Sequence, residues 1–217
     1  MPAVDDLRAM SLALALARSQ QGRTAPNPSV GCVLVKDDHI IATGATQDGG
    51  RPHAERVALE AAGEAARGST AYVTLEPCAH HGQTPPCADA LVEAGVSRVV
   101  VACQDDYAEV AGKGLAILED AGMAVELGLL GDTALALYAG FFHRLKTGRP
   151  LVYADRRRHG YDAELDVDDG AMIERRLFEL GQAGKNRVRV EPDTPLAETL
   201  LQAGLARIPH DSGHTQY

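Results

Sequence analysis

Tryptophan is absent from this sequence, and phenylalanine (three) and tyrosine (six) are scarce. A core built from it must be aliphatic, assembled from Ala, Val and Leu. Basic charge is also in deficit: 21 Lys and Arg stand against 30 Asp and Glu, a formal net charge of −9. That excludes the broad basic face that neutralises a phosphate backbone, so nucleic acid is not an expected partner. A small anionic substrate held by one or two local groups remains compatible with it. No stretch approaches the ~18 uninterrupted apolar residues of a membrane span. The start, MPAVDDLRAM, lacks the basic n-region and apolar run of an export signal. The chain is therefore expected to be cytoplasmic and off the membrane. In a reducing compartment its four cysteines read as core, catalytic or metal-bound rather than disulfide-bonded.

What is present is a globular composition, 45% apolar and 24% charged over 217 residues. The length suits one ordinary domain plus an appendage, or two small domains. Residues 5–21 carry a helical apolar stripe behind Asp5 or Asp6 as cap. Residues 29–45 read as a hairpin turning at Lys36–His39, and 53–68 as a helix ending at Gly68. Downstream, TAYVTLEP, SRVVVACQ and MAVELGLL read as strands. CADALVEAGV, GKGLAILEDAG and DTALALYAGFFHRLKTG read as the helices between and after them. Continuous apolar strands alternating with helices imply a sheet covered on both faces, mixed because of the hairpin. After Gly148 the composition changes. Residues 155–170 are charged and read as a loop or linker. A helix, the strand NRVRVE and the helix PLAETLLQAGL follow. One strand and two helices cannot bury a core of their own, so this end is expected to dock elsewhere. The division is thus 1–148 and 149–217.

The chemistry concentrates in two places. His53-Ala54-Glu55 opens a helix behind Pro52. Glu76-Pro77-Cys78 ends a strand, and Cys87 opens the next helix behind Pro85-Pro86. Thiolates near a helix start gain from its partial positive charge. One imidazole and two thiolates make three ligands to Zn²⁺, leaving a fourth position open, the mark of a catalytic site. Such a metal makes hydroxide available near neutral pH, and Glu55 is placed to shuttle protons. The arrangement matches the signature of zinc nucleobase deaminases, which usually places the second Cys three positions on; here the pair is nine apart. Either half alone is weak, since helix starts often carry His and Glu, and paired cysteines often lie in cores. Together they favour zinc. His80 and His81, between the cysteines, are expected to line the loop. Cys32 and Cys103, in apolar strands, are expected in the core.

The segments APNPSVGCVLVKDD, PHAE, AYVTLEPCAHHGQTPPCADAL and VAGKGL together resemble the deaminase domain of the bifunctional riboflavin-biosynthesis deaminase/reductase. The resemblance covers about residues 5 to 148. It implies a three-layer α/β/α cytidine-deaminase-like fold and hydrolytic deamination of a diaminopyrimidinone ribosylamino phosphate. It implies that His53, Cys78 and Cys87 hold zinc, that Glu55 is the proton shuttle, and that Asn27 and Asp105 contact substrate. Three positions depart from the family. Thr46 stands where a His is usual, Gln83 where a Lys or Arg is usual, and Tyr107 within a changed D-P-N-P segment. All three are expected to face substrate. The alternative they motivate is a paralogue acting on another aminated heterocycle, a pyrimidine, pterin or triazine, without a phosphate. Residues 174–205 resemble a late segment of the family's reductase domain. The family's glycine pair there is Pro192-Asp193 in this chain, so NADPH is not expected. The end reads as a reductase remnant, a small αβα appendage kept for packing or for a homodimer.

Overall fold

The computed structural model describes residues 4–80, 85–106, 111–167 and 170–209. It opens with helix α1 (Asp6–Ser19), strands β1 (Gly31–Lys36) and β2 (His39–Ala45), and helix α2 (Ala54–Ala62). Strand β3 (Thr70–Val73), helix α3 (Cys87–Glu93) and strand β4 (Arg98–Val101) follow. Helix α4 (Lys113–Asp120), strand β5 (Ala124–Leu127) and helix α5 (Gly131–Thr147) complete the first unit. Asp5 caps α1, its carboxylate accepting from the Arg8 N–H at 2.7 Å.

The five strands form one sheet in the order β2-β1-β3-β4-β5. Strand β1 is antiparallel to β2 and β3, whereas β3, β4 and β5 run parallel. This is the mixed sheet expected from a hairpin followed by strand–helix alternation. Its two faces can be assigned from two glycines, because successive strand residues point to opposite faces. A Cβ on Gly31 would lie 1.9 Å from the Ala13 carbonyl of α1. A Cβ on Gly44, which pairs with Cys32, would lie 2.1 Å from the Ala54 carbonyl of α2. So α1 covers one face and α2 the other. The α1 face also receives α5: Tyr72 donates to Asp6, and the hydroxyl of Thr74, two residues on, meets that of Tyr138. Helix α3 packs beside α2, and α4 beside α3. The result is three layers, α/β/α. Cys32 and Cys103 lie in its aliphatic core, as expected.

The remaining chain is larger in structure than the expected strand and two helices. It holds strands β6 (Leu151–Ala154), β7 (Ala163–Glu164), β8 (Arg187–Val190) and β9 (Ala206–Arg207), with helices α6 (Ile173–Gln182) and α7 (Pro195–Gln202). These strands form a second, all-parallel sheet in the order β7-β8-β6-β9. It gathers its own apolar cluster, including Val152, Leu177, Leu180, Val188 and Leu200. The strands missed are β6, and β7 and β9, which at two residues each carry no readable pattern. The charged stretch 155–170 is likewise not a plain linker. It supplies β7, and Asp155 within it is buried and accepts from Tyr161 and Arg157. The unit docks on the first through Asn186. Its Oδ1 accepts from Arg144 Nε at 2.6 Å, and its Nδ2 donates to the Pro26 carbonyl at 3.2 Å. Arg144 Nη2 donates to the same carbonyl at 3.0 Å. Among the described residues, no helix is long and apolar enough to cross a membrane.

Candidate metal centre

Two helix starts on one side of the sheet and one strand exit meet at a point. His53 is the N-cap residue of α2, extended at φ −71° and ψ 159°. Cys87 is the first residue of α3, behind Pro86. Cys78 lies on the chain that leaves β3 and runs toward α3. The Nδ1 of His53 is 3.7 Å from the Cys78 sulfur and 3.4 Å from the Cys87 sulfur. All three ligand atoms fall within 4.8 Å of one another. A tetrahedral zinc, with Zn–S near 2.3 Å and Zn–N near 2.0–2.1 Å, needs N···S edges of about 3.6 Å. The two N···S separations bracket that value, so the donor set fits zinc in both chemistry and spacing. The Cys87 backbone N–H, at the start of α3, also donates to the Cys78 sulfur at 3.3 Å.

The two thiols are shifted in opposite directions. The Cys78 thiol is held down at about 4 by its hydrogen bond with Cys87, against burial and with help from His53. The Cys87 thiol is pushed up by its bond to Cys78 and by burial. The His53 imidazole is raised by its hydrogen bond with Cys78, against burial. Glu55, buried on the first turn of α2, is raised to about 7, chiefly by desolvation and then by the Cys78 charge. The Cys87 thiol acts in the opposite direction, lowering it. A carboxyl group there can hold or release a proton near neutral pH.

The other expected positions divide. Asn27 is brought to the loop that precedes His53, its Nδ2 donating to the Gly50 carbonyl at 2.8 Å. The fit is close: Gly50 has φ +87°, and a Cβ on it would lie 2.7 Å from the Asn27 Cβ. Thr46 is buried, and its hydroxyl accepts from the Val30 N–H at 2.9 Å. Asp105 lines a recess of about 710 Å³ between the exit of β4 and the start of α5; the metal triad does not line this recess. His80 is described at the edge of the site loop, but His81, Gln83 and Tyr107 lie outside the described residues.

Two kinds of residue escaped the sequence reading. Glu76 is buried, and its carboxylate accepts from three backbone N–H groups: Asp105 (3.2 Å), Gly112 (3.0 Å) and Gly114 (2.8 Å). It ties the chain entering Cys78 to the loop that follows β4. The only signal for it was its place in Glu-Pro-Cys. Arg51 and Arg56 bring positive charge to the centre, Arg51 acting on His53 and Arg56 on Cys87. Arg56 also donates to the Pro85 carbonyl at 3.1 Å.

A mixed sheet with an imidazole at one helix start, a thiol at the next and a buried carboxyl beside them defines the zinc-binding deaminase class. Comparison with known proteins agrees: residues 3–103 match the cytidine and deoxycytidylate deaminase zinc-binding region. The chain is 45% identical over 147 residues to the diaminohydroxyphosphoribosylamino-pyrimidine deaminase of Buchnera aphidicola, covering 68% of this chain and 100% of that protein. It is 56% identical over 143 residues to the riboflavin biosynthesis protein RibD of Haemophilus influenzae, covering 66% of this chain. It spans 38% of that relative's length. Among solved structures, Acinetobacter baumannii RibD superposes with a TM-score of 0.79 at 31% identity, covering 93% of this chain and 84% of that one. The chain belongs to the diaminohydroxyphosphoribosylaminopyrimidine deaminase family.

Proposed function

We propose that residues 1–148 catalyse the zinc-dependent hydrolytic deamination of diaminohydroxyphosphoribosylaminopyrimidine, an intermediate of riboflavin biosynthesis. The observation that carries this reading is the alignment along the full length of a relative with that name, joined to the triad of His53, Cys78 and Cys87. In the reaction a ring C–NH₂ and water become a ring carbonyl and ammonia.

His53, through Nδ1, and the Cys78 and Cys87 sulfurs would hold the ion. When bound, zinc supplies the Lewis acidity that makes hydroxide available near neutral pH. Glu55 takes one proton from water and gives it to the ring nitrogen, then takes the second from the new hydroxyl and gives it to the leaving amine. Its burial, which raises it to about 7, suits both directions of transfer. Asn27, Thr46, Gln83, Asp105 and Tyr107 are assigned to the substrate side of the site. Arg51 and Arg56 supply positive charge near a phosphorylated substrate in a chain whose residue 83 is neutral. Residues 149–217 are assigned as a degenerate reductase-like unit without redox activity. A cytoplasmic homodimer is the expected working form. Supporting it are free Cys32, Cys78, Cys87 and Cys103, and the exposed Leu127 and Leu135 near the β5 edge.

The test is ammonia release by the zinc-loaded protein from the phosphorylated pyrimidine and from its dephosphorylated form. Turnover of the phosphorylated compound is expected. No turnover of it, with turnover of the other, would install the non-phosphorylated paralogue reading. Glu55→Gln should keep stoichiometric zinc and lose activity by about 10²-fold or more. Cys87→Ala should lose the zinc itself, measured by metal analysis.

A further inference from the structure

The charge balance of the chain is reversed in one place. On the α1 and α5 side of the sheet, away from the metal triad, a cleft of about 1340 Å³ opens between those helices and the C-terminal unit. Arg18, Arg23, Arg157, Arg187 and Arg207 line it, against the single carboxylate of Asp132. In a chain with net charge −9 this is a local excess of positive charge.

Most arginines of this protein are matched to carboxylates, and two in the cleft follow that rule: Arg23 pairs with Asp48, and Arg157 with Asp155. Arg18, Arg187 and Arg207 form no ion pair among the described residues. The Arg187 guanidinium is instead held by neutral groups, while its backbone N–H donates to the Asp162 carboxylate at 2.8 Å. Its Nε donates to the Gly160 carbonyl at 3.1 Å and its Nη1 to the Tyr153 hydroxyl at 3.3 Å. The guanidinium lies 4.4 Å from the Tyr153 ring centroid and 5.4 Å from that of Tyr161. Stacking of this kind orients a guanidinium without neutralising it. Positive potential is also felt nearby. The His143 imidazole is lowered by burial first and then by Arg207 and Arg149.

We propose that this cleft is a binding site for a small phosphorylated ligand, separate from the metal centre. Several guanidinium groups lining one cleft match a dianion or diphosphate better than a monoanion. The recess is bounded by α1, α5 and the second unit, so it suits a small molecule, and the acidic remainder of the surface opposes a polyanionic chain. The two sources of this chemistry are a sugar phosphate and a nucleotide. Because the lining comes from both units, an occupant would also hold them together.

The experiment is calorimetric titration of the zinc-loaded 217-residue protein with pyrophosphate, ribose 5-phosphate and ADP at physiological salt. At least one should bind saturably with Kd below about 1 mM. Arg18→Glu with Arg207→Glu, both on exposed side chains, should weaken it about tenfold or more. Zinc content and circular dichroism should not change in that variant. Preference for ribose 5-phosphate or for ADP identifies the source. Absence of saturable binding by all three, or unchanged affinity in the double variant, overturns the proposal. The readout does not use deamination, so its failure leaves the assigned activity untouched and the converse also holds.

Discussion

Asp6 shows how one surface carboxylate joins two layers. It sits in the first turn of α1 and receives the Tyr72 hydroxyl at 2.6 Å and two N–H groups of Arg98 at 2.6 and 3.0 Å. These bonds, Arg98 first and Tyr72 second, hold its carboxyl at about 2. In the unfolded chain it titrates near 3.9. The native state therefore binds the proton less readily, and the stabilisation is fully present above about pH 4. It is lost as the pH falls toward 2. Asp6 is 44% exposed, so solvent screening limits the contribution to about 1 kcal/mol or less. Asp6→Asn should lower stability at neutral pH by that order, with the gap from the parent protein closing between about pH 4 and 2. Urea unfolding across that range measures it. The metal triad was legible at this scale because its residue types are rare and their chemistry is specific. Glu76, Arg51 and Arg56 were not. Glutamate and arginine are common, and nothing local distinguishes a buried or site-facing one until distant backbone arrives beside it.

At the scale of elements, Glu76 acts as a clasp between the exit of β3 and the entry of α4. Gly114 makes the approach feasible: a Cβ there would lie 2.0 Å from the Pro77 carbonyl. Glu76→Ala removes one acceptor group from three backbone donors, each costing about 1–3 kcal/mol if left buried and unpaired. Allowing for water entry, the net loss should be about 2–4 kcal/mol in equilibrium unfolding. Amide exchange at Asp105, Gly112 and Gly114 should speed up more than exchange in β1. A uniform change would assign Glu76 a merely global role. The longer elements of the first unit were readable because their apolar spacing repeats over several turns or strands. Strands β7 and β9 are only two residues long, and β6 is a short apolar run directly after α5 and before a charged stretch. Their identity comes from pairing, which leaves no period in the sequence. Arg189 shows the same limit. It is 2% exposed in β8, yet satisfied by Glu164, Glu191 and the Asp155 carbonyl.

At the scale of the molecule, the two units meet at close backbone approaches, such as Gly22 against Tyr161 and Gly184 against Pro26, and at the polar bridge of Asn186. Asn186 is 6% exposed and bridges Arg144 to the Pro26 carbonyl. Asn186→Ala takes the acceptor from Arg144 Nε and one of two donors from the Pro26 carbonyl, a loss of about 1–3 kcal/mol. It should fall on the attachment of the second unit more than on the first. Limited proteolysis is expected to cut within 149–167 sooner, while zinc binding by the first unit persists. Equal loss of both would mean the units unfold together.

The order of the second sheet also bears on how the protein is made. Strand β6 is flanked by β8 and β9, both of which follow it in the chain. During synthesis the first unit has all its strands once β5 has emerged. Strand β6 then waits, with both edges open, for partners some thirty to fifty residues downstream. Translation proceeds at about 5–20 residues per second, so that exposure lasts for seconds. The ribosome therefore releases a finished deaminase-like layer before the unit that leans on it can close.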